Sequence, residues 1–129
     1  MRDVCTELHQ VCPGVRIYCH ICGNVLPVIE DLVATGLDGI GPLDPLGGFT
    51  VAEARKRAGP DVTLLGGVNT MDFMRAGPEE IHAQALRCIR EGQVGSSRYI
   101  LSSGCALPRE TRPENLLALR RASEDAGGR

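Results

Sequence analysis

Residues 15–36 read VRIYCHICGNVLPVIEDLVATG. The first five, Val15 to Cys19, are mostly β-branched or apolar and predict a buried strand. From Asn24 the pattern becomes helical. Asn24 is a capping residue type, Pro27 falls near the first turn, and Gly36 is placed to end the helix. Between strand and helix lies CHICGN, residues 19–24, the densest chemistry in the chain.

The same rhythm continues along the sequence. LDGIGPL (37–43) predicts a short strand ending near Pro42, and Thr50-x-x-Glu53 is a capping box opening the helix VAEARKRAG. VTLLGGV (62–68) predicts a third strand. Gly77-Pro78-Glu79-Glu80 opens a helix running to about Gly92, with acids in the first turn where the helix dipole favours them. RYILSSG (98–104) predicts a fourth strand, and Thr111-x-x-Glu114, with Pro113 between, reads as a second capping box opening the last helix. One more helix, RDVCTELHQVC, precedes the first strand. The organisation expected is one domain: a leading helix over 1–12, four βα units over 15–126 and a tail at 127–129.

Strand and helix alternate through short links, and the strands are apolar throughout. Both features predict an α/β fold with a parallel sheet covered by helices. Two architectures satisfy this. One is a small open doubly wound sheet. The other is half of an eight-stranded βα barrel, which needs about 250 residues when complete. An isolated half barrel leaves two open edges, so it implies a missing half or a homo-oligomer.

The composition narrows the function. A formal charge of −2, two Tyr, two Phe and no Trp give neither the basic face nor the stacking aromatics of a nucleic-acid binder. The apolar runs are short and broken by Gly, Pro or charge, so no membrane span is expected. Met1-Arg2-Asp3-Val4 does not open a signal peptide, and a cytoplasmic, reducing setting follows. There the six cysteines are read as thiols or metal ligands rather than disulfides. Cys5, Cys12 and Cys88 fall on helices as packing residues, and His9 and His82 lie on helix patterns facing solvent or caps.

Residues 19–24 admit two chemistries. Cys19-x-x-Cys22 between strand and helix is the spacing of a thioredoxin-like redox pair, although such folds end in antiparallel strands. A zinc ribbon needs a second Cys-x-x-Cys, and a c-type haem site needs His where Gly23 stands. Alternatively, His20 and Cys22 project to one side of the strand end and Cys19 to the other. Active sites of parallel βα folds lie at the carboxyl ends of their strands. Cys105 lies at the corresponding level of the fourth strand, 83 residues after Cys22. One imidazole and two thiolates suit zinc and leave a fourth position open for a substrate thiol.

HICGN at the first strand end, LLGGVNTMDFMRAGPEEI in the middle and YILSSGCALPRETRPENLLAL near the end resemble the C-terminal half of the uroporphyrinogen decarboxylase superfamily, from about Val15 to Ala122. Within it, the His-x-Cys and late Gly-Cys pattern is similar to the zinc-dependent corrinoid-protein:thiol methyltransferase branch. The resemblance implies a βα barrel and zinc held by His20, Cys22 and Cys105. It also implies methyl transfer from a methyl-corrinoid, carried on a partner corrinoid protein, to a small thiol. Asp44 would then orient substrate or a ligand, or simply shape a turn in LDPLGG. Asn69 would line the pocket, and Ser102 and Ser103 would donate hydrogen bonds near the metal. The chain departs from decarboxylases in having Gly104-Cys105-Ala106 where those usually have Gly-His-Gly, and from many relatives in having Gly66-Gly67 for Gly-Asn. The competing expectations are a tetrapyrrole carboxy-lyase, with Arg16, Arg75, Arg98 or Arg109 meeting the substrate carboxylates, and a non-catalytic half-barrel assembly partner or remnant.

Overall fold

A computed structural model describes residues 1–127; positions 128 and 129 of the expected tail lie outside the described residues. The elements are α1 (Arg2–Val11), β1 (Tyr18–His20), α2 (Ile29–Val33), β2 (Gly39–Leu43), α3 (Val51–Ala58), β3 (Thr63–Val68), α4 (Asp72–Arg75), α5 (Pro78–Gly92), β4 (Tyr99–Ser103) and α6 (Pro113–Asp125). Single 3-10 turns, Leu26–Val28 and Pro45–Gly47, precede α2 and α3. Among the described residues the strands form one sheet in the order β1-β2-β3-β4, all parallel. Alternating helices and parallel strands are the α/β arrangement expected from the sequence.

The register sorts the strand residues onto two faces. Cys19, Ile40, Leu64 and Tyr99 lie side by side and face the helices. Ile40 and Leu64 are fully buried there, packed with Ile29, Val51, Ala54, Phe73, Ile81 and Ala85. The other face carries Tyr18 beside Gly39 and Thr63, and Leu65 beside Ile100. Tyr18 is 43% exposed and Ile100 51% exposed. Of the apolar strands expected from the sequence, only β2 is buried along its whole length; β1, β3 and β4 are partly exposed on the second face. On the second face β2 is bare: a methyl on Gly39 would lie 3.1 Å from the Tyr18 ring, and the Tyr18 hydroxyl stands over Gly41. Burial against this trough floor pushes the Tyr18 phenol above its ordinary pKa.

Local chemistry explains most element boundaries. Thr50 and Glu53 complete the capping box of α3: the Thr50 hydroxyl accepts from the Glu53 amide, and the Glu53 carboxylate accepts from the Thr50 amide. Pro78 and Pro113 occupy the first turns of α5 and α6. The second expected capping box is absent. Thr111 turns its hydroxyl back to the Pro108 carbonyl, and Arg112 becomes the N-cap because its amide is drawn to the Phe73 carbonyl. Asn24 caps no α-helix either; its side chain accepts from the Leu26 amide and shapes the turn into Leu26–Val28, so α2 starts later than the pattern suggested. The four-residue α4 had no periodic signal to betray it.

One buried cation ties the layers together. Arg55 on α3 is 4% exposed and donates to the carbonyls of Gly92, Gly59, Val62 and Arg98. Cys5 and Cys88 are buried as expected, but Cys12 is exposed at the end of α1. His9 and His82 pair with Asp38 and Asp125. Among the described residues, no helix is long and apolar enough to cross a membrane.

Candidate metal centre

The carboxyl ends of the four strands build the site. β1 ends at His20, and two residues on Cys22 follows its strand alternation, so both side chains point over the mouth. The Cys22 Sγ lies 3.4 Å from the His20 Nε2. β4 ends at Ser103, and Gly104 turns the chain so that the Cys105 Sγ lies 3.4 Å from the Cys22 Sγ. β1 and β4 are the two outermost strands of the sheet. In a flat sheet with strands about 4.8 Å apart they would stand roughly 14 Å from each other. Contact between their cysteines shows that the sheet is curled and that both connecting loops lean inward.

Cys19 takes no part. It packs against the core, while Cys22 faces outward to Cys105. All six cysteines are free thiols. His20 and Cys22 are exposed and Cys105 is half-buried, so the donors are open to a ligand.

The donors form a chain, His20–Cys22–Cys105, whose two contacts both run through Cys22. Among the described residues no group of three or more His, Cys, Asp or Glu side chains stands, as placed, where it could hold a metal ion. The existing contacts nevertheless have the scale of a tetrahedral zinc site. With Zn–S near 2.3 Å and Zn–N near 2.05 Å, tetrahedral geometry sets S–S and S–N edges of about 3.8 and 3.5 Å. Opening the two 3.4 Å contacts by a few tenths of an ångström reaches those edges. One imidazole with two thiols is also a zinc-type donor set. By itself the Cys22 thiol resists ionising. The Cys22 thiol is held above its ordinary pKa first by its hydrogen bond to Cys105, then by desolvation and by the nearby charges of Cys105 and Asp44.

The remaining residues singled out in the sequence have structural partners. The Asp44 carboxylate accepts from the Leu46 amide at 2.9 Å and caps the Pro45–Gly47 turn. The Asn69 side chain accepts from the Met71 amide, and the Asn69 amide donates to Gln84, which itself donates to Asp72. Ser103 donates to the Cys105 carbonyl at 2.7 Å, and the Gly104 amide donates to the Val68 carbonyl at 2.7 Å. Together the last two bonds fix the backbone that presents Cys105. Ser102 is half-buried on β4. Arg16 and Arg98 flank a groove at the opposite, amino-terminal end of the strands, and Arg16 is paired there with Asp38.

Three glycines beside the cysteines escaped the sequence reading. A methyl on Gly104 would fall 2.7 Å from Pro45 Cδ and 3.1 Å from Asp44 Cα. One on Gly47 would fall 2.8 Å from the Asn24 nitrogen and from the Gly23 carbonyl carbon. Gly23 itself sits at φ +77°, a conformation that favours glycine. The sequence offered a hint in that Gly23 follows one cysteine and Gly104 precedes the other.

Comparison with known proteins places this geometry in context. Residues 1–125 match the family model described as "Uroporphyrinogen decarboxylase (URO-D)". The chain is 30% identical over 107 residues to the methylcobamide:CoM methyltransferase MtaA of Methanosarcina barkeri (strain Fusaro / DSM 804), an alignment covering 82% of this chain and 30% of that protein. A second Methanosarcina barkeri sequence of the same name is 29% identical over 107 residues. Among solved structures, a methyltransferase from Methanosarcina mazei superposes with a TM-score of 0.77 at 20% identity, covering 99% of this chain and 36% of that one. That likeness shows the fold, four βα units of a barrel-type sheet, and the chain spans about a third of the length of these relatives. The match over nearly its whole length shows that the chain belongs to the uroporphyrinogen decarboxylase family.

Proposed function

We propose that this chain carries the metal-binding part of a methyl-transfer enzyme, with His20, Cys22 and Cys105 holding a zinc ion. The observation that carries the reading is the 3.4 Å contact between two cysteines 83 residues apart, at the mouth where βα folds do their chemistry. When bound, zinc supplies the Lewis acidity that turns a substrate thiol into a thiolate near neutral pH. The two cysteine thiolates balance the ion's charge, and His20 contributes a neutral donor. Ser103 holds the Cys105 carbonyl and so fixes the loop that aims its sulfur. The methyl group comes from a methyl-corrinoid delivered by a corrinoid protein, and the acceptor is a small thiol. Support for both is the name of the Methanosarcina barkeri relatives, methylcobamide:CoM methyltransferase.

The trough bearing Tyr18, Leu65 and Ile100, with open edges at β1 and β4, fits a complementary half that supplies the other strands of a barrel. The activity belongs to that completed barrel. Free thiol ligands suit a reducing compartment, the cytoplasm.

Metal analysis tests the reading. The purified, metal-loaded chain is expected to hold about one zinc per molecule, and His20→Ala and Cys105→Ala to lose it while Cys12→Ala keeps it. A wild-type chain that takes up no zinc at micromolar concentration, or a Cys105→Ala variant that binds it equally well, overturns the assignment.

A further inference from the structure

Cys22 and Cys105 belong to opposite edges of the sheet, so something must set the distance between them. The turn Asp44–Gly48 stands between their loops. It is internally braced: Asp44 accepts from the Leu46 amide, the Gly47 amide donates to the Asp44 carbonyl at 2.9 Å, and the Gly48 amide donates to the Pro45 carbonyl at 3.0 Å. Gly48 closes it at φ +81°. On one side the turn presses Gly47 against the backbone of Gly23 and Asn24; on the other, Pro45 and Asp44 press against Gly104. Both contacts are too tight to admit a single methyl group, and the atoms met are backbone or a proline ring, which cannot rotate aside. Each contact lies one residue from a cysteine. The order across the mouth is Cys22–Gly23, Gly47, Pro45, Gly104–Cys105.

We propose that this turn is the spacer that sets the sulfur–sulfur distance, with Gly47 and Gly104 as positioning residues. Its purpose rests on the metal reading above; its geometry does not. Glycine at both seams lets the two loops close onto the turn, and any side chain there props the mouth open.

Binding of phenylarsine oxide, which requires two neighbouring thiols, measures the spacing without any metal. The wild-type chain is expected to bind it through Cys22 and Cys105, and Cys105→Ala to abolish that binding. Gly104→Ala is expected to weaken it at least tenfold, and Gly104→Ala combined with Pro45→Ala to recover most of the loss by removing the nearest clashing atom. The thermal midpoint of each variant controls for folding. A second arm loosens the turn without adding an atom: Asp44→Ala is expected to weaken arsenical binding with only a small fall in the thermal midpoint. In cobalt-loaded protein, the thiolate-to-metal absorption should weaken in the same order. Unchanged arsenical binding in Gly104→Ala or in Asp44→Ala overturns the spacer. If the wild type takes the arsenical and follows this order, yet binds neither zinc nor cobalt, the spacer stands and the metal reading falls.

Discussion

Arg55 and Asp38 show how single side chains carry this fold. Arg55 is a buried guanidinium whose donors all go to backbone carbonyls, one each in α5, in the turn after α3, just before β3 and just before β4. A lysine keeps the charge but not the planar fork, so Arg55→Lys leaves buried carbonyls unpaired. We expect a loss of about 2 kcal/mol or more in urea denaturation. Asp38 accepts from the Ile17 amide, from His9 and from Arg16, and those contacts, led by the amide, hold its carboxyl below the ordinary range. A folded-state pKa below the unfolded value near 4 stabilises fully above that value and is lost as pH falls through the folded one. Asp38→Asn should therefore lower stability at pH 7 and flatten the decline between about pH 4 and more acid conditions, read from urea midpoints across that range. Cys88 marks a thiol with no such part to play: burial pushes it up to about 11, so it should stay unlabelled by alkylating agents in the native protein.

Elements show what a sequence reveals. Thr50-x-x-Glu53 and Thr111-x-x-Glu114 are the same pattern, yet only the first caps its helix. At Thr50 the determinants are local and nothing competes. At Thr111 the distant Phe73 carbonyl captures the Arg112 amide and moves the cap by one residue. Thr50→Ala is expected to cost about 1 kcal/mol in a denaturant titration, and Thr111→Ala clearly less. The same divide holds at the site. Alternation put His20 and Cys22 on one side of β1 and the strand ends put Cys105 at their level, because both follow from backbone periodicity. The clamp of Gly47 and Gly104 on the turn Asp44–Gly48 was not legible, because its contacts join segments far apart in the chain. Nor was the half-exposed character of β4, whose apolar residues read like those of a strand covered on both faces.

At the scale of the molecule, the sheet is covered by helices on one face and is an open trough on the other. β2 and β3 are paired on both sides and β1 and β4 on one only. Amide hydrogen exchange should follow that order, slowest in Leu64–Val68 and faster in Tyr18–His20. The part of the Methanosarcina barkeri relative outside the matched region, the larger share of that protein, should slow both edges on mixing. Exchange that is uniform across the strands would contradict the unequal pairing.

The trough also contains its own light source. The protein has no tryptophan and two tyrosines. Tyr99 is turned toward the helices, its hydroxyl bound to the Gly66 carbonyl, whereas Tyr18 lies over the bare glycines of β2. Emission excited at the phenol band thus comes from one sheltered ring and one ring at the open surface. A quencher dissolved in the buffer should dim the second first, and whatever fills the trough should shield it. Occupancy can then be followed optically without attaching a dye.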